Sequence, residues 1–204
     1  MTCWRPDVES YYRLHARFYD ATRWAFLFGR SDLLRLVRRR VVPQRVLEVG
    51  CGTGTNLRRL AGLYPAASLT GIDLSPEMLG KAERKLSPWS DRVRLLRGKF
   101  PEVPGPPGNE EPFDLILFSY SLSMMNPGWK EAIAAAASRV VAGGCLAVVD
   151  FHDSRFGTFE RWMTLNHVRL GGHLLEELRR TAEENEHHVN NAFLGIWRYF
   201  TFLS

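Results

Sequence analysis

The stretch Val46-Leu47-Glu48-Val49-Gly50-Cys51-Gly52-Thr53-Gly54 constrains this chain more than any other. Arg45 to Val49 is short, aliphatic and β-branched, which predicts a buried parallel strand. Three glycines at alternate positions end it, and Thr55 to Tyr64 continues with helical spacing through Leu57, Leu60, Ala61 and Tyr64. Strand, glycine turn and helix bring backbone N–H groups and a helix N-terminus up to a nucleotide-type ligand. Glycine suits the turn because a side chain would block the ligand or forbid the backbone angles.

A dinucleotide fingerprint requires G-x-G-x-x-G, which cradles a pyrophosphate. Here the order is Gly50-x-Gly52-x-Gly54 with Glu48 ahead of it, so the expected ligand lacks a pyrophosphate. Nineteen residues beyond Gly54, Asp73 ends a second strand, Ser68 to Leu74, where a carboxylate would accept from both hydroxyls of a ribose. Glu48, the alternating glycines and Asp73 together resemble the cofactor site of the class I S-adenosylmethionine-dependent methyltransferases. The resemblance implies S-adenosyl-L-methionine as cofactor. It implies cofactor contacts at Tyr19, Arg23, Glu48, Gly50, Cys51, Gly52, Gly54, Asn56, Asp73, Leu74, Met78, Lys99, Phe100, Ser119 and Tyr120. In that class an acidic residue often follows the third strand and binds the adenine amino group. Lys99 and Phe100 stand there instead, which leaves the adenine to backbone N–H groups or the Phe100 ring.

The remaining elements alternate as an α/β fold should. Two helices, Val8 to Thr22 and Arg23 to Arg40, are expected ahead of the sheet, the second broken near Gly29-Arg30-Ser31. Ser75-Pro76-Glu77 opens a helix to about Leu86 with an N-cap and a proline at its first position. Strands are expected at Val93 to Gly98, Phe113 to Phe118 and Cys145 to Asp150, and helices at Pro127 to Ala142, Phe156 to Leu165 and His173 to Asn185. His187 to Ser204 alternates about Gly195 as a closing hairpin would. The fold expected is a Rossmann-like, seven-stranded, mostly parallel sheet with helices on both faces and a C-terminal antiparallel hairpin. Residues 1–43 form a helical cap of the pocket and residues 44–204 a single globular unit.

Composition sets bounds on this picture. The 204 residues, 45% hydrophobic and 24% charged, suffice for one such domain. Cys3, Cys51 and Cys145 have no metal or disulfide spacing, and the adjacent His187 and His188 would point to opposite faces of a strand, so no metal is expected. No apolar run spans a membrane or opens the chain as a secretory signal, so a cytoplasmic location is expected. The net charge of +5 leaves nucleic acid or an anionic membrane surface as partners. Ten arginines against four acidic residues precede or open the first sheet strand, interleaved with aromatics. That pattern suits a helix in a headgroup layer, and equally a capping helix with solvated arginines. Tyr12, His15, Tyr19 and Arg23 share one helical face that could meet the cofactor carboxylate or the acceptor.

Further stretches narrow the class. Tyr11 to Arg30, Ser119-Tyr120-Ser121-Leu122-Ser123-Met124-Met125, Val149-Asp150-Phe151 and Leu194 to Phe200 resemble the bacterial betaine-lipid N-methyltransferases. The resemblance implies three methyl transfers to the amine of diacylglyceryl-homoserine, by a protein peripheral at the inner face of the membrane. An enzyme that makes the homoserine lipid is a further conceivable partner. The Asn/Asp-Pro-Pro-aromatic motif of base-amine methyltransferases is absent after the fourth strand, which argues against nucleic acid. Tyr19, Tyr120, His15, Asp150 and His152 are the candidates for activating the amine or holding the growing cation. Phosphatidylethanolamine N-methyltransferases and small-molecule, quinone-type methyltransferases are the alternatives.

Overall fold

The computed structural model describes residues 27–103, 112–183 and 186–204. The expected helix at Val8 to Thr22, the candidates His15, Tyr19 and Arg23, and most of the 1–43 segment lie outside the described residues.

The first described helix, α1, is Arg30–Arg40, with Gly29 at its N-cap, where the break in the apolar pattern was expected. Strand β1 (Arg45–Val49) leads to helix α2 (Thr55–Leu63), β2 (Ser68–Asp73) to α3 (Pro76–Leu86), and β3 (Val93–Arg97) follows. Strand β4 (Phe113–Ser119), helix α4 (Trp129–Arg139) and the long β5 (Val140–Ser154) come next. Helices α5 (Gly157–Leu165) and α6 (His173–Thr181) precede β6 (Glu186–Ala192) and β7 (Trp197–Leu203).

The seven strands form one sheet in the order β3-β2-β1-β4-β5-β7-β6. The first five are parallel, and β7 lies antiparallel between β5 and β6. This is the expected Rossmann-like, mostly parallel sheet with its closing hairpin. Strand alternation divides the core into two layers. Val46, Leu115 and Leu117 point to the layer built with Leu33 and Val37 of α1, Leu57 and Leu60 of α2 and Ala82 of α3. Leu47, Ile116 and Phe118 point to the opposite layer, filled by Ile133 and Ala136 of α4 and Leu174 and Leu178 of α6. Each fully buried leucine contributes on the order of 1.5–3 kcal/mol, so the helices on both faces pin the sheet and its carboxyl edge. At α3 the local signal is realised directly: the Met78 amide donates to Ser75 Oγ at 3.2 Å, and Pro76 occupies the first turn.

Strand β5 starts at Val140 rather than Cys145 and runs to Ser154 rather than Asp150, and two helix ends also differ from expectation. The helix expected to Ala142 ends at Arg139, because the β-branched Val140 opens β5 by pairing with Phe113. The register then shifts before Leu115 pairs with Cys145. Gly144 permits the shift, since a Cβ there would lie 2.9 Å from the Asp114 carbonyl oxygen. Helix α6 ends at Thr181 rather than continuing to Asn185, and Ala182 turns extended as the chain heads for the sheet edge.

Candidate active site

The carboxyl ends of β1, β2 and β4 lie side by side, and there the glycine turn meets the acid of β2. Gly50, Gly52 and Gly54 all have left-handed φ, at 73°, 53° and 72°. The amides of Gly50 and Cys51 both donate to the Ile72 carbonyl, at 2.8 and 3.0 Å, which ties the turn to β2. The Gly52 amide donates to Asp73 Oδ2 at 2.7 Å, and the Ser75 amide donates to Asp73 Oδ1 at 3.0 Å. Both carboxylate oxygens are therefore oriented by backbone amides. At Gly50 the need for glycine has a second cause besides φ: a Cβ there would sit 2.5 Å from Ser121 Cβ.

A cavity of about 280 Å³ opens beside this turn. Gly50, Gly52, Asp73, Leu74, Met78, Lys99, Phe100 and Tyr120 line it, so eight of the residues expected at the cofactor are brought together. Five others serve the turn from behind. Glu48 is buried and accepts from Asn56 Nδ2 at 2.8 Å, which fixes the start of α2 against β1. Cys51 is buried with its sulfur 3.9 Å from the Gly52 carbonyl oxygen. Gly54 lets α2 approach α3, where a Cβ would lie 2.8 Å from Leu86 Cδ1 and 3.1 Å from Ala82 Cβ. Ser119 is buried and accepts from Arg30 Nε at 3.0 Å, which anchors α1 across the end of β4.

The cavity fits S-adenosylmethionine. Asp73 supplies a carboxylate of the kind a ribose diol needs as acceptor, and Ile72, Met78 and Phe100 give the same cavity apolar lining. Phe100 is buried edge-on to Phe118 at 6.1 Å, with the Arg139 guanidinium 5.1 Å from its ring centroid. Lys99 is exposed and paired with Glu102 at 2.9 Å, a hydrogen bond that holds it charged above the ordinary lysine range. Lys99 thus puts a cation at the cavity rim.

The described catalytic candidates part company. Tyr120 has a left-handed φ of 57°, lines the cavity, and donates its hydroxyl to the Phe28 carbonyl at 2.8 Å. Burial, reinforced by Asp150, pushes its pKa well above that of a free phenol, so it offers a ring face and keeps its proton. Asp150 is fully buried outside the cavity lining, accepting from the Ser123 amide at 3.2 Å and the Phe151 amide at 2.8 Å. Burial raises its pKa to about 6, against the lowering effect of hydrogen bonds from Ser123, Phe151 and Leu122. Its role in this geometry is to hold the Leu122–Met124 turn, whose last residue lines the cavity. His152 also stands off the cavity. Its Nδ1 lies 3.2 Å from Asp153 Oδ2, its carbonyl accepts from the Gly171 and Gly172 amides, and Asp153 is ion-paired with Arg198.

The wall facing Asp73 is made by Ser121, Met124, Met125, Asn126, Pro127 and Gly128. Ser121 Oγ donates to the Val49 carbonyl at 2.8 Å and Asn126 Nδ2 to the Ser123 carbonyl at 2.7 Å, so the wall is stitched to β1 and to itself. Of these, Met124 to Gly128 were not expected at the site. Their one local signal is the Pro-Gly step before α4, which marks a turn without saying what it encloses. Among the described residues no cluster of histidine, cysteine and carboxylate side chains has metal-binding geometry.

The fold is similar to that of the class I, S-adenosylmethionine-dependent methyltransferases. Residues 46–144, just under half of the chain, match the family model described as a methyltransferase domain. The chain is 33% identical over 118 residues to a trans-aconitate 2-methyltransferase of Methylobacterium nodulans, a match covering 58% of this chain and 42% of that protein. It is 38% identical over 112 residues to a malonyl-[acyl-carrier protein] O-methyltransferase of Legionella pneumophila, covering 54% and 38%. The matches thus span about two fifths of each curated relative. Among solved structures, the N-methyltransferase NodS of Bradyrhizobium japonicum with S-adenosyl-L-homocysteine superimposes with a TM-score of 0.68. It is 23% identical, and the match covers 85% of this chain and 83% of that one.

Proposed function

We propose that this chain methylates the amine of a lipid headgroup, transferring three methyl groups from S-adenosylmethionine to diacylglyceryl-homoserine to give a trimethylated betaine. The observation that carries the reading is the wall facing Asp73. Its reactive part is the Tyr120 ring with Ser121, Met124 and Met125, and Asp73 is the one carboxylate lining the cavity among the described residues. A quaternary ammonium has no N–H to donate, so aromatic and thioether surface suits the product better than hydrogen-bond acceptors do. The same stretch, Ser119 to Met125, carries part of the resemblance to the betaine-lipid enzymes.

In each transfer a neutral amine attacks the sulfonium methyl carbon in line. The N–C bond forms as the C–S bond breaks, and the electron pair returns to sulfur. The ammonium left by the first and second transfers gives its proton to water before the next attack, and the third product has no proton to lose. The protein's contribution is alignment: Asp73 and the Gly50–Gly52 backbone fix the cofactor, and the 121–128 wall fixes the acceptor. Tyr120 holds the amine by its ring rather than as a base, since its hydroxyl is committed to Phe28.

A second reading is transfer to a carboxylate, as the names of the two curated relatives suggest for those proteins. Lys99 at the rim, with its Cε 3.8 Å from the Cβ position of Gly128, would then face the acid. Mass spectrometry of purified protein with S-adenosylmethionine and mixed micelles of diacylglyceryl-homoserine and phosphatidylethanolamine, with trans-aconitate alongside, separates these. Products one, two and three methyls heavier on the homoserine lipid alone are expected. Methylation of phosphatidylethanolamine alone moves the acceptor to that headgroup, and methylation of trans-aconitate alone overturns the lipid reading.

A further inference from the structure

The turn between β6 and β7 breaks two rules at once. Phe193 and Leu194 are not glycine, yet both take left-handed φ, at 45° and 54°. The strain displays apolar side chains to solvent: Leu194 is wholly exposed at 109%, and Phe193 and Ile196 are exposed beside it. A non-glycine pair in this conformation persists only where the surroundings or a function hold it.

Topology places this turn at the carboxyl edge of the sheet, the edge that carries the cavity. Strand β5 runs parallel to β4 and ends at Ser154, which pairs with Trp197 at the start of the antiparallel β7. Ser154 Oγ donates to the Ile196 carbonyl at 2.7 Å and accepts from the Phe156 amide at 3.0 Å, so the turn is tied to the start of α5. Phe156 and Trp162 of that region are exposed, while Met163 anchors the helix in the core. On the other side the Phe193 ring meets the half-exposed Phe28 ring edge-on at 5.5 Å. Phe28 is the residue whose carbonyl receives the Tyr120 hydroxyl, so the apolar surface begins one hydrogen bond from the cavity wall.

From this arrangement we infer that the β6–β7 turn and the outer side of α5 insert into the headgroup layer of an anionic bilayer and set the cavity mouth against it. The choice of a bilayer rests on charge complementarity. Arg155 and Arg161 are exposed and each directly precedes an exposed aromatic residue, Phe156 and Trp162. Arginine beside aromatic and aliphatic side chains is the composition of surfaces that sit at headgroup depth on anionic lipid. The inference deepens the lipid reading above and rests on it for its purpose, while its test does not use methyl transfer.

The test is co-sedimentation of the full chain with phosphatidylcholine vesicles, with and without phosphatidylglycerol, in the absence of S-adenosylmethionine and of any amine-methylation readout. Leu194→Asn removes the most exposed apolar side chain and puts there a residue that tolerates left-handed backbone, so the variant keeps the fold. The wild-type protein is expected to sediment with phosphatidylglycerol-containing vesicles and far less with pure phosphatidylcholine. Leu194→Asn should lower that partition about tenfold, the loss expected when one leucine no longer enters the apolar layer. The paired variant Arg155→Glu with Arg161→Glu, on exposed positions, should abolish the preference for anionic vesicles. Wild-type protein that stays in the supernatant with both vesicles overturns the inference, as does Leu194→Asn sedimenting like wild type. A dimer in light scattering that Leu194→Asn dissociates, with vesicle binding unchanged, assigns the surface to a second copy of the chain and overturns it too. Vesicle binding without lipid methylation would sink the proposed acceptor and leave the docking surface standing.

Discussion

The Gly52 amide donates to Asp73 Oδ2 at 2.7 Å, so the acid that closes β2 orients the glycine turn that closes β1. Replacing Asp73 with alanine removes this bond, the one from Ser75 and the acceptors facing the cavity. A hydrogen bond to a charged group is worth about 1.5–3 kcal/mol, so affinity for S-adenosylhomocysteine should fall about ten- to a hundredfold. Isothermal titration calorimetry checks this, and unchanged affinity would show that Asp73 serves the turn alone.

Gly50→Ala tests the close approach of the two strand ends. The new Cβ would stand 2.5 Å from Ser121 Cβ, on a backbone with φ 73°. The left-handed conformation alone costs an alanine roughly 1–2 kcal/mol. Relief of the clash has to push the 121–128 wall outward or break the bond from Ser121 Oγ to the Val49 carbonyl. A lower melting temperature together with weaker cofactor binding is expected, measured by differential scanning fluorimetry with and without S-adenosylhomocysteine.

Glu48→Ala should destabilise the fold even though Glu48 does not line the cavity. It strips the buried Asn56 amide of its 2.8 Å acceptor, and leaving such a donor unsatisfied costs about 1–3 kcal/mol. Urea denaturation gives the difference, and Glu48→Gln, which retains a carbonyl acceptor, should recover part of it.

Asp150 gives the stability of the protein a definite pH dependence. Burial raises its folded-state pKa from 3.8 to about 6, so between these values the native state holds more protons than the unfolded chain. Its contribution therefore favours folding most below pH 3.8, declines as the pH rises, and is lost by about pH 6. The swing is on the order of 3 kcal/mol at 1.36 kcal/mol per pKa unit. Asp150→Asn removes the titration, so the difference in unfolding free energy between wild type and variant should vary over this window and flatten above it. A constant difference between pH 4 and pH 7 would show that Asp150 titrates normally.

The elements legible in the sequence are those whose reason is local. Arg45 to Val49 is β-branched and aliphatic on both faces, the three glycines supply left-handed φ, and Ser75-Pro76 caps a helix with its own atoms. Asp73 was identifiable because its distance from the turn follows from one βαβ unit. The Val140–Val141 pair was not, because its choice between helix and strand depends on Phe113, a distant partner across a register shift. Asp150 and His152 looked alike as titratable residues at the end of a strand. Only the fold shows that one clamps the Leu122–Met124 turn and the other faces Asp153.

Sequence alone thus determined the class of fold, the cofactor turn and its acid, since each arises from dihedral preference and apolar periodicity within a few dozen residues. The tertiary structure decided which residues share the cavity, that Tyr120 spends its hydroxyl on Phe28, and that Arg30 reaches Ser119. Those contacts join positions 92 and 89 residues apart. Their partners are chosen by the order and register of strands in the sheet, a property of the folded chain that no local pattern encodes.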